Sequence, residues 1–329
     1  MTDHEEIVPR PDFKDRKTGL VVFGILEIIL GGFCALFMLF MLASFFLKIS
    51  SAVTMNSGMR ISSALLYAML AVWFIWMGIG SIKARRWARA LLLVSSWIWL
   101  IGGICGLIFI LIVMPDMYDK MAQSGKITEK MAQIMKYVML GFMAFVYIVM
   151  PGALVLFYGS RNVKATCEFR DPRIRWTDKC PLPVLAVSLI YGSGAALMLK
   201  DGFYGWVIPF FGYILSGMAG AGVALISMLL LGYIAWGTYK LNIKAWWCAV
   251  LFTIAWSISN GITFLRMNLF DLYKKMNFSD QQLEMLKQFI TPHYFMMALF
   301  FGVCAVGFLG YLVYIRRYFA APSTQEGGS

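Results

Sequence analysis

Charged residues are scarce in this chain. Asp, Glu, Lys and Arg make up 14% of the 329 residues, whereas hydrophobic residues make up 60%. Soluble globular domains carry roughly 25% charged and about 45–50% apolar residues. A soluble domain of this length could not bury so much apolar surface, because its core stops growing while its surface still has to be covered. The scarcity of charge therefore excludes an ordinary soluble protein and indicates a lipid environment.

Histidine and the common catalytic motifs are also nearly absent. The two His residues are His4 and His293, and the chain contains no HExxH, no GxSxG and no Walker A pattern. Cys167 and Cys180 have no His beside them and their spacing fits no zinc pattern. We therefore predict a protein that is not an enzyme, with no catalytic residue, no metal site and no cofactor.

What the chain has instead is a series of long apolar runs. A bilayer core about 30 Å thick needs roughly 20 residues of helix to cross it. None of the runs shows the alternation of a membrane β-strand, so they are predicted to be helices. Eight spans are expected, over 18–47, 61–82, 90–115, 137–160, two within 181–239, 245–265 and 289–315. A third span within 181–239 would leave too short a middle segment, so the sixth helix should begin near Gly217.

The basic residues indicate an orientation. The net charge is +12, and more than half of the 29 Lys and Arg residues fall on the side of both termini. The positive-inside rule therefore places both termini in the cytoplasm, and the compact loops favour a bacterial inner (plasma) membrane. Nucleic-acid binding is not predicted, because the bases are scattered over several loops and do not form one patch.

The two halves of the chain resemble each other. Matching residues recur 159 positions apart, as in Gly78 and Gly237 or Trp97 and Trp256, and the spacing then becomes 155. Because each half would hold four helices, both halves would enter the membrane in the same orientation. We predict an all-α integral membrane protein with eight transmembrane helices as two parallel four-helix repeats (4+4). The predicted order is a cytoplasmic tail 1–17, a first repeat 18–160, a basic cytoplasmic linker 161–180, a second repeat 181–319 and a cytoplasmic tail 320–329.

The linker 161–180 is rich in Lys and Arg and has Trp176 near its end. Such a segment could contact anionic lipid headgroups, each base contributing about 1 kcal/mol near the surface. It could equally be a solvated tether. The lipid bilayer is the partner that the sequence predicts directly, and protein partners are left unassigned.

Glu27 is the one charged residue in the first apolar run. An ionisable residue near the middle of the membrane is by default a functional-site hypothesis. Ser257 and Asn260 of the seventh run are its candidate partners in a substrate or ion site. The alternative is structural: a neutral Glu bonded to a neighbouring helix, with polar side chains that join helices by hydrogen bonds.

A polar motif is retained in both segments predicted outside the membrane. Asp116, Tyr118 and Glu129 of the first half match Asp271, Tyr273 and Glu284 of the second. The simplest interpretation is a helix–turn–helix whose polar residues cap helix ends and whose tyrosines anchor at the interface. Ser279 with Gln282 resembles a capping box at the start of the second of these helices.

Two classes of function follow from these patterns. The sequence favours a non-catalytic membrane scaffold or assembly component, in which the polar residues only hold helices together. The alternative is a transporter or channel-like protein with a polar site between the two repeats near Glu27. A hydrated cavity at Glu27 would favour transport, and dry burial against another helix would favour the scaffold.

Overall fold

The computed structural model describes residues 13–46, 57–123 and 128–319, without the side chains of 45, 46, 57, 112–123, 285 and 288–294. Within these ranges eight helices are long and apolar enough to cross a membrane, which confirms the expected number of spans. The spans are Lys17–Ser44, Gly58–Ile82, Arg86–Leu111, Glu129–Gly159, Leu182–Tyr204, Gly217–Tyr239, Ile243–Arg266 and Phe295–Tyr318. At most 33% of the most apolar stretch of any span is buried within the protein, as expected of helices surrounded by lipid.

The first two helices form the tightest pair in the bundle. Helix α1 runs from Lys17 to Phe46 and α2 from Ser57 to Ile82. They cross at Gly24 and Gly78, where a Cβ atom added to Gly78 would lie 2.6 Å from the Gly24 carbonyl oxygen. Only glycine permits so close an approach of two backbones, which is the usual device for packing helices in lipid.

The next two spans differ in regularity. Helix α3 is continuous from Arg86 to Gln123, whereas the fourth span consists of α4 (Glu129–Ala144), a π-helical turn (Phe145–Val149) and α5 (Met150–Gly159). The π turn directly precedes Pro151, which has no N–H to donate to the preceding turn. The lost hydrogen bond accounts for the local change of helical register.

The linker is ordered and helical. Helix α6 spans Arg161–Arg170 and begins at Ser160, whose hydroxyl accepts the Val163 N–H. A 3-10 helix over Trp176–Lys179 follows. The Thr166 hydroxyl accepts the N–H of Arg16 at 3.0 Å, so the linker folds back against the start of α1.

The segment 181–239 contains two membrane helices, as predicted, and an element that the sequence did not reveal. Helix α7 (Leu182–Leu197) continues into a 3-10 helix (Met198–Tyr204), and α8 (Gly217–Tyr239) begins at the predicted residue. Between them β1 (Ile208–Phe210) and β2 (Tyr213–Leu215) form an antiparallel hairpin in which Phe210 pairs with Tyr213. Gly212 in its turn has φ +82, a conformation that favours glycine.

The last part of the chain ends the bundle. Helix α9 (Ile243–Arg266) is followed by the short α10 (Leu269–Lys275) and by α11 (Asp280–Ile315), with a 3-10 turn over Arg316–Tyr318. The predicted capping box is present: the Ser279 hydroxyl accepts the Gln282 N–H, and the Gln282 side chain accepts the Ser279 N–H. The local sequence therefore starts α11 where the pattern indicated.

Two packing groups are joined through α3 and through α2, which contacts the 3-10 helix over Met198–Tyr204. One group contains α1, α2, α3 and α5, and the other contains α7, α8, α9 and α11, while α3 contacts α7 and α11 of the second group. The main hydrophobic core lies at the end of the bundle that carries the linker, which we call the linker face. It includes Leu20, Tyr158, Val184 and Leu312.

One turn recurs with the same hydrogen bonds in both halves. In the α2–α3 turn Ala84 has φ +48 and the Arg85 N–H bonds the Gly80 carbonyl. In the α8–α9 turn Leu241 has φ +57 and the Asn242 N–H bonds the carbonyl of residue 237. Matching positions are 157 residues apart (241 minus 84), two fewer than the 159 of the sequence comparison.

Candidate functional site

Glu27 lies on α1 and is enclosed by the protein. Its side chain is 2% exposed, and its Oε2 atom is buried without a hydrogen-bond partner in the described part of the chain. Tyr158 of α5 is near enough to interact electrostatically with Glu27. The carboxyl group therefore lies inside the packed first group, and the hydrogen bond to a neighbouring helix that the structural alternative expects is absent at Oε2 among the described residues.

A hydroxyl network lies on the same face of α1, nearer the linker. The Ser81 hydroxyl donates to the Leu20 carbonyl at 2.8 Å and lies 2.7 Å from the Tyr158 hydroxyl. Because a serine has a single hydrogen to give, Tyr158 is the donor to Ser81. Leu20 is seven residues before Glu27, about 10 Å along the helix axis, so this network satisfies α1, α2 and α5 without using the Glu27 carboxyl.

Ser257 and Asn260, the proposed partners of Glu27, lie on α9. The Ser257 hydroxyl donates to the Thr253 carbonyl of its own helix at 2.7 Å. The Asn260 side chain is half-buried and has no hydrogen bond to any described residue. In the described part of the chain α1 packs mainly on α2 and also contacts α5 and α6, and α9 packs mainly on α8, α11 and β1. The fold therefore places Glu27 and this pair in different packing groups.

The acidic residues of the outer motif occupy first turns of helices. Glu129 is in the first turn of α4, where the Thr128 hydroxyl caps the helix by accepting the Met131 N–H. Asp271 is in the first turn of α10. Negative side chains at these positions stabilise the partial positive charge of a helix N-terminus. The capping interpretation therefore accounts for both of these acids.

The remaining members of the motif are less uniform. Tyr273 packs against Phe278, and burial raises the pKa of its phenol. Glu284 is exposed on α11. The side chains of Asp116 and Tyr118 lie outside the described residues, although both residues fall within the backbone of α3. The Asp-x-Tyr parts of the two copies thus lie on different kinds of element, the first on the continuous α3 and the second on the separate short α10.

A polar cavity of about 300 Å³ opens at the linker face. The start of α3, the helix α6, the 3-10 helix of the linker and the start of α7 surround it. We call it the linker pocket, and its charged or hydroxyl-bearing lining residues are Arg86, Arg89, Lys164, Glu168, Thr177 and Asp178. The starts of α3 and α7 and the linker thus form one concave site that is large enough for a small ligand.

The two acids of the linker pocket already have cationic partners. Arg86 lies 3.2 Å from Glu168 and 3.6 Å from Asp178, and Lys164 lies 3.9 Å from Glu168. Their negative charges are therefore balanced within the pocket wall.

Asp171 lies beside the linker pocket, next to Arg86. It accepts hydrogen bonds from the Arg175 guanidinium at 2.6 Å and from the backbone N–H of Arg86. Burial alone would raise the pKa of Asp171, but these bonds outweigh it and hold the pKa below its usual value. The carboxylate thus ties the linker to the first N–H groups of α3.

Two hydrogen-bonding groups of the linker pocket remain unsatisfied. The Nε atom of Arg89 is buried without a partner, and Arg89 forms no ion pair with any described carboxylate. Thr177 is 2% exposed, and its hydroxyl also has no partner among the described residues. Buried polar groups are nearly always hydrogen-bonded, so two such groups in one cavity are a signal for a missing ligand.

The thiols of the linker pocket are chemically inert. Burial raises the pKa values of Cys167 and Cys180 to about 12. Both are therefore neutral thiols at physiological pH, and a neutral thiol is neither the nucleophile nor the metal-binding form. The described residues contain no group of three His, Cys, Asp or Glu that could hold a metal ion.

Sequence reasoning missed Arg89 and Thr177 as site residues. Arg86 and Arg89 are three positions apart on α3 and therefore share a face, a spacing that could have marked them. No local pattern marks Thr177, because its place depends on the folding of the linker against α3.

The eight long apolar helices in the described part of the chain identify the class of the protein as an α-helical integral membrane protein. Comparison with protein families, curated proteins and solved structures found no match to the chain. Its function therefore has to be argued from its own residues.

Proposed function

We propose that the protein is a non-catalytic membrane scaffold or assembly component. The observation that carries the proposal is the burial of Glu27, which is 2% exposed on α1, a helix that packs mainly on α2 and, within the described residues, not on the Ser257 and Asn260 helix. A carboxyl group enclosed in this way can hold a helix arrangement but offers no path for a solute. Polar groups of this kind in lipid commonly serve to join helices.

The exposed side of the eighth span supports an assembly role. Only 6% of its most apolar stretch is buried, and Val303 and Val306 are 63% and 70% exposed. In a scaffold this side of α11 would contact lipid and the helices of a partner protein. A photo-crosslinker at Val306 in native membranes should therefore give discrete protein adducts, and the same group at the buried Leu312 should not. Lipid adducts alone from both positions would count against the scaffold.

The alternative function is a transporter or channel-like protein. It is favoured by the Glu27 Oε2 atom and the Asn260 amide, which have no hydrogen bond within the described residues and would need one in lipid. Movement of the two packing groups relative to each other could then open a polar path between them, alongside α3.

Proteoliposomes containing the full chain decide between these functions. With an imposed pH gradient and a lumenal pH dye, we expect proton flux no faster than in protein-free liposomes, and no change with Glu27→Gln. Glu284→Gln is the matched control, because Glu284 is exposed. Flux that wild type and the Glu284 variant show, but that Glu27→Gln abolishes, would replace the scaffold by the transporter.

We further propose that the eight helices form two parallel four-helix repeats, with both termini in the cytoplasm of a bacterial cell. The recurrence of the Ala84 turn at Leu241 supports the duplication, because positive φ at a non-glycine residue is uncommon. The basic residues on the linker face support the orientation.

The linker is proposed to contact anionic lipid. Phe169 and Ile174 are 63% and 75% exposed and lie next to Arg170 and Arg173 in sequence. Exposed apolar and basic side chains side by side are typical of a segment at a membrane surface.

A further inference from the structure

The linker pocket contains an excess of unsatisfied donors. Arg89 and Thr177 both line the cavity of about 300 Å³, and neither the Arg89 Nε–H nor the Thr177 hydroxyl has a partner in the described part of the chain. Thr177 is 2% exposed, so its hydroxyl is largely shielded from bulk water. Leaving such groups unsatisfied is costly, and a bound ligand with acceptor oxygens would remove that cost.

The charge of the pocket indicates the sign of the ligand. Its three cations are Arg86, Arg89 and Lys164, and its two acids, Glu168 and Asp178, are both held by Arg86. Arg89 is therefore the surplus charge. Glu168 and Asp178 are near enough to stabilise the Arg89 charge but form no ion pair with it in the described part of the chain. A partly buried guanidinium whose Nε–H is unpaired favours a bound anion.

We propose that the linker pocket binds a phosphate group, held by the Arg89 guanidinium and the Thr177 hydroxyl. A guanidinium presents its donors in a fork that matches phosphate oxygens, and a hydroxyl supplies a further donor. The cavity has room for a phosphate with a small attached group. Because the pocket lies where α3 and α7 begin, the phosphate could belong to a lipid headgroup or to a free phosphate compound. The proposal does not depend on the scaffold function.

The first test uses inorganic phosphate and the full chain, purified in a maltoside detergent and phosphate-free buffer. Phosphate should raise the Tm in a saturable manner, and potassium chloride at equal ionic strength should not. Arg89→Gln should weaken the apparent affinity at least about tenfold, because it removes a charge-assisted hydrogen bond. Thr177→Val, which removes one neutral hydrogen bond, should weaken it about three- to tenfold.

Arg173→Gln is the matched control. It removes one positive charge from an exposed position of the same linker, outside the pocket. Its phosphate affinity should equal that of wild type. If Arg89→Gln cannot be purified in a folded state, the phosphate affinities of Thr177→Val and Arg173→Gln are compared. A weaker affinity in Thr177→Val supports the proposal, and equal affinities overturn it.

The second arm tells the two sources of phosphate apart. Nanodiscs of phosphatidylcholine, with or without phosphatidic acid, are analysed by native mass spectrometry for lipid retained on the protein. Phosphate binding that depends on Arg89 and Thr177 supports a free ligand, and selective retention of phosphatidic acid with the same dependence supports a headgroup. The proposal would be overturned if neither phosphate nor phosphatidic acid were bound, or if Arg173→Gln weakened binding as much as the pocket variants do.

Discussion

The two halves of the molecule differ in whether their buried polar side-chain atoms have hydrogen-bond partners. In the second half the indole N–H of Trp246 donates to the Leu312 carbonyl, and the hydroxyls of Ser259 and Thr263 accept the N–H groups of the hairpin turn. All three buried side-chain atoms without partners in the described residues lie earlier, on Glu27, Arg89 and Thr177. Among fully buried side-chain atoms, those described in the second half all have partners, whereas three in the first half and the linker do not.

Arg89 and Trp246 show this difference at equivalent positions of the two halves. They are 157 residues apart, the spacing of the recurring turn, and each follows that turn by five residues (84 to 89 and 241 to 246). Trp246 uses its donor to join α9 to the end of α11, and Arg89 directs a charged donor to a cavity. The same place in the backbone thus serves packing in one half and, by our proposal, ligand binding in the other.

The largest effect is expected where the second half holds its hairpin. Ser259 and Thr263 accept the backbone N–H groups of Phe211 and Gly212 at 2.9 and 3.3 Å. Replacing both, with Ser259→Ala and Thr263→Val, leaves two partly buried N–H groups without acceptors and should lower the free energy of unfolding by about 2 kcal/mol. Unfolding in detergent micelles measures the change.

Ser257→Ala is the control for that double variant. Its hydroxyl donates only to its own helix, at Thr253, so its removal should change stability by less than about 0.5 kcal/mol. An equal cost for Ser257→Ala would show that hydroxyl loss in α9 is costly regardless of the hairpin.

The sequence predicts those parts of this fold that depend on local patterns. Span number follows from the length of apolar runs, and the start of α11 follows from the pairing of Ser279 with Gln282. The hairpin at 208–215 was missed, because its residues are as apolar as the helices on either side and its turn is held by hydroxyls some fifty residues later.

The linker pocket could not be predicted for a related reason. Arg89 and Thr177 are 88 residues apart, and only the packing of the linker on the start of α3 brings them to one cavity. Glu27, in contrast, was recognisable from its depth in an apolar run. The sequence indicated that it is unusual, but its lack of a partner depends on the packing of α1, α2 and α5 around it.

An intermediate effect is expected at Trp246. Trp246→Phe keeps an aromatic ring but removes the N–H that bonds the Leu312 carbonyl at 2.8 Å, and should cost about 1.5 kcal/mol of stability. Trp247→Phe is the matched control, since Trp247 is 48% exposed and its indole makes no hydrogen bond to a described residue. Equal losses of stability at the two positions would show that the hydrogen bond of Trp246 does not stabilise the second half.

The smallest effect should have the opposite sign. In phosphate-free buffer Arg89→Met should raise the free energy of unfolding by about 1 kcal/mol, because an apolar side chain of similar length replaces a cation that forms no ion pair with a described carboxylate and has an unpaired Nε–H. Arg86→Met should lower it, since Arg86 holds both Glu168 and Asp178. The measurement is the Tm of the purified chain. A loss of stability in both variants would mean that Arg89 is satisfied within the protein, and the difference between the two halves would then rest on Glu27 and Thr177 alone.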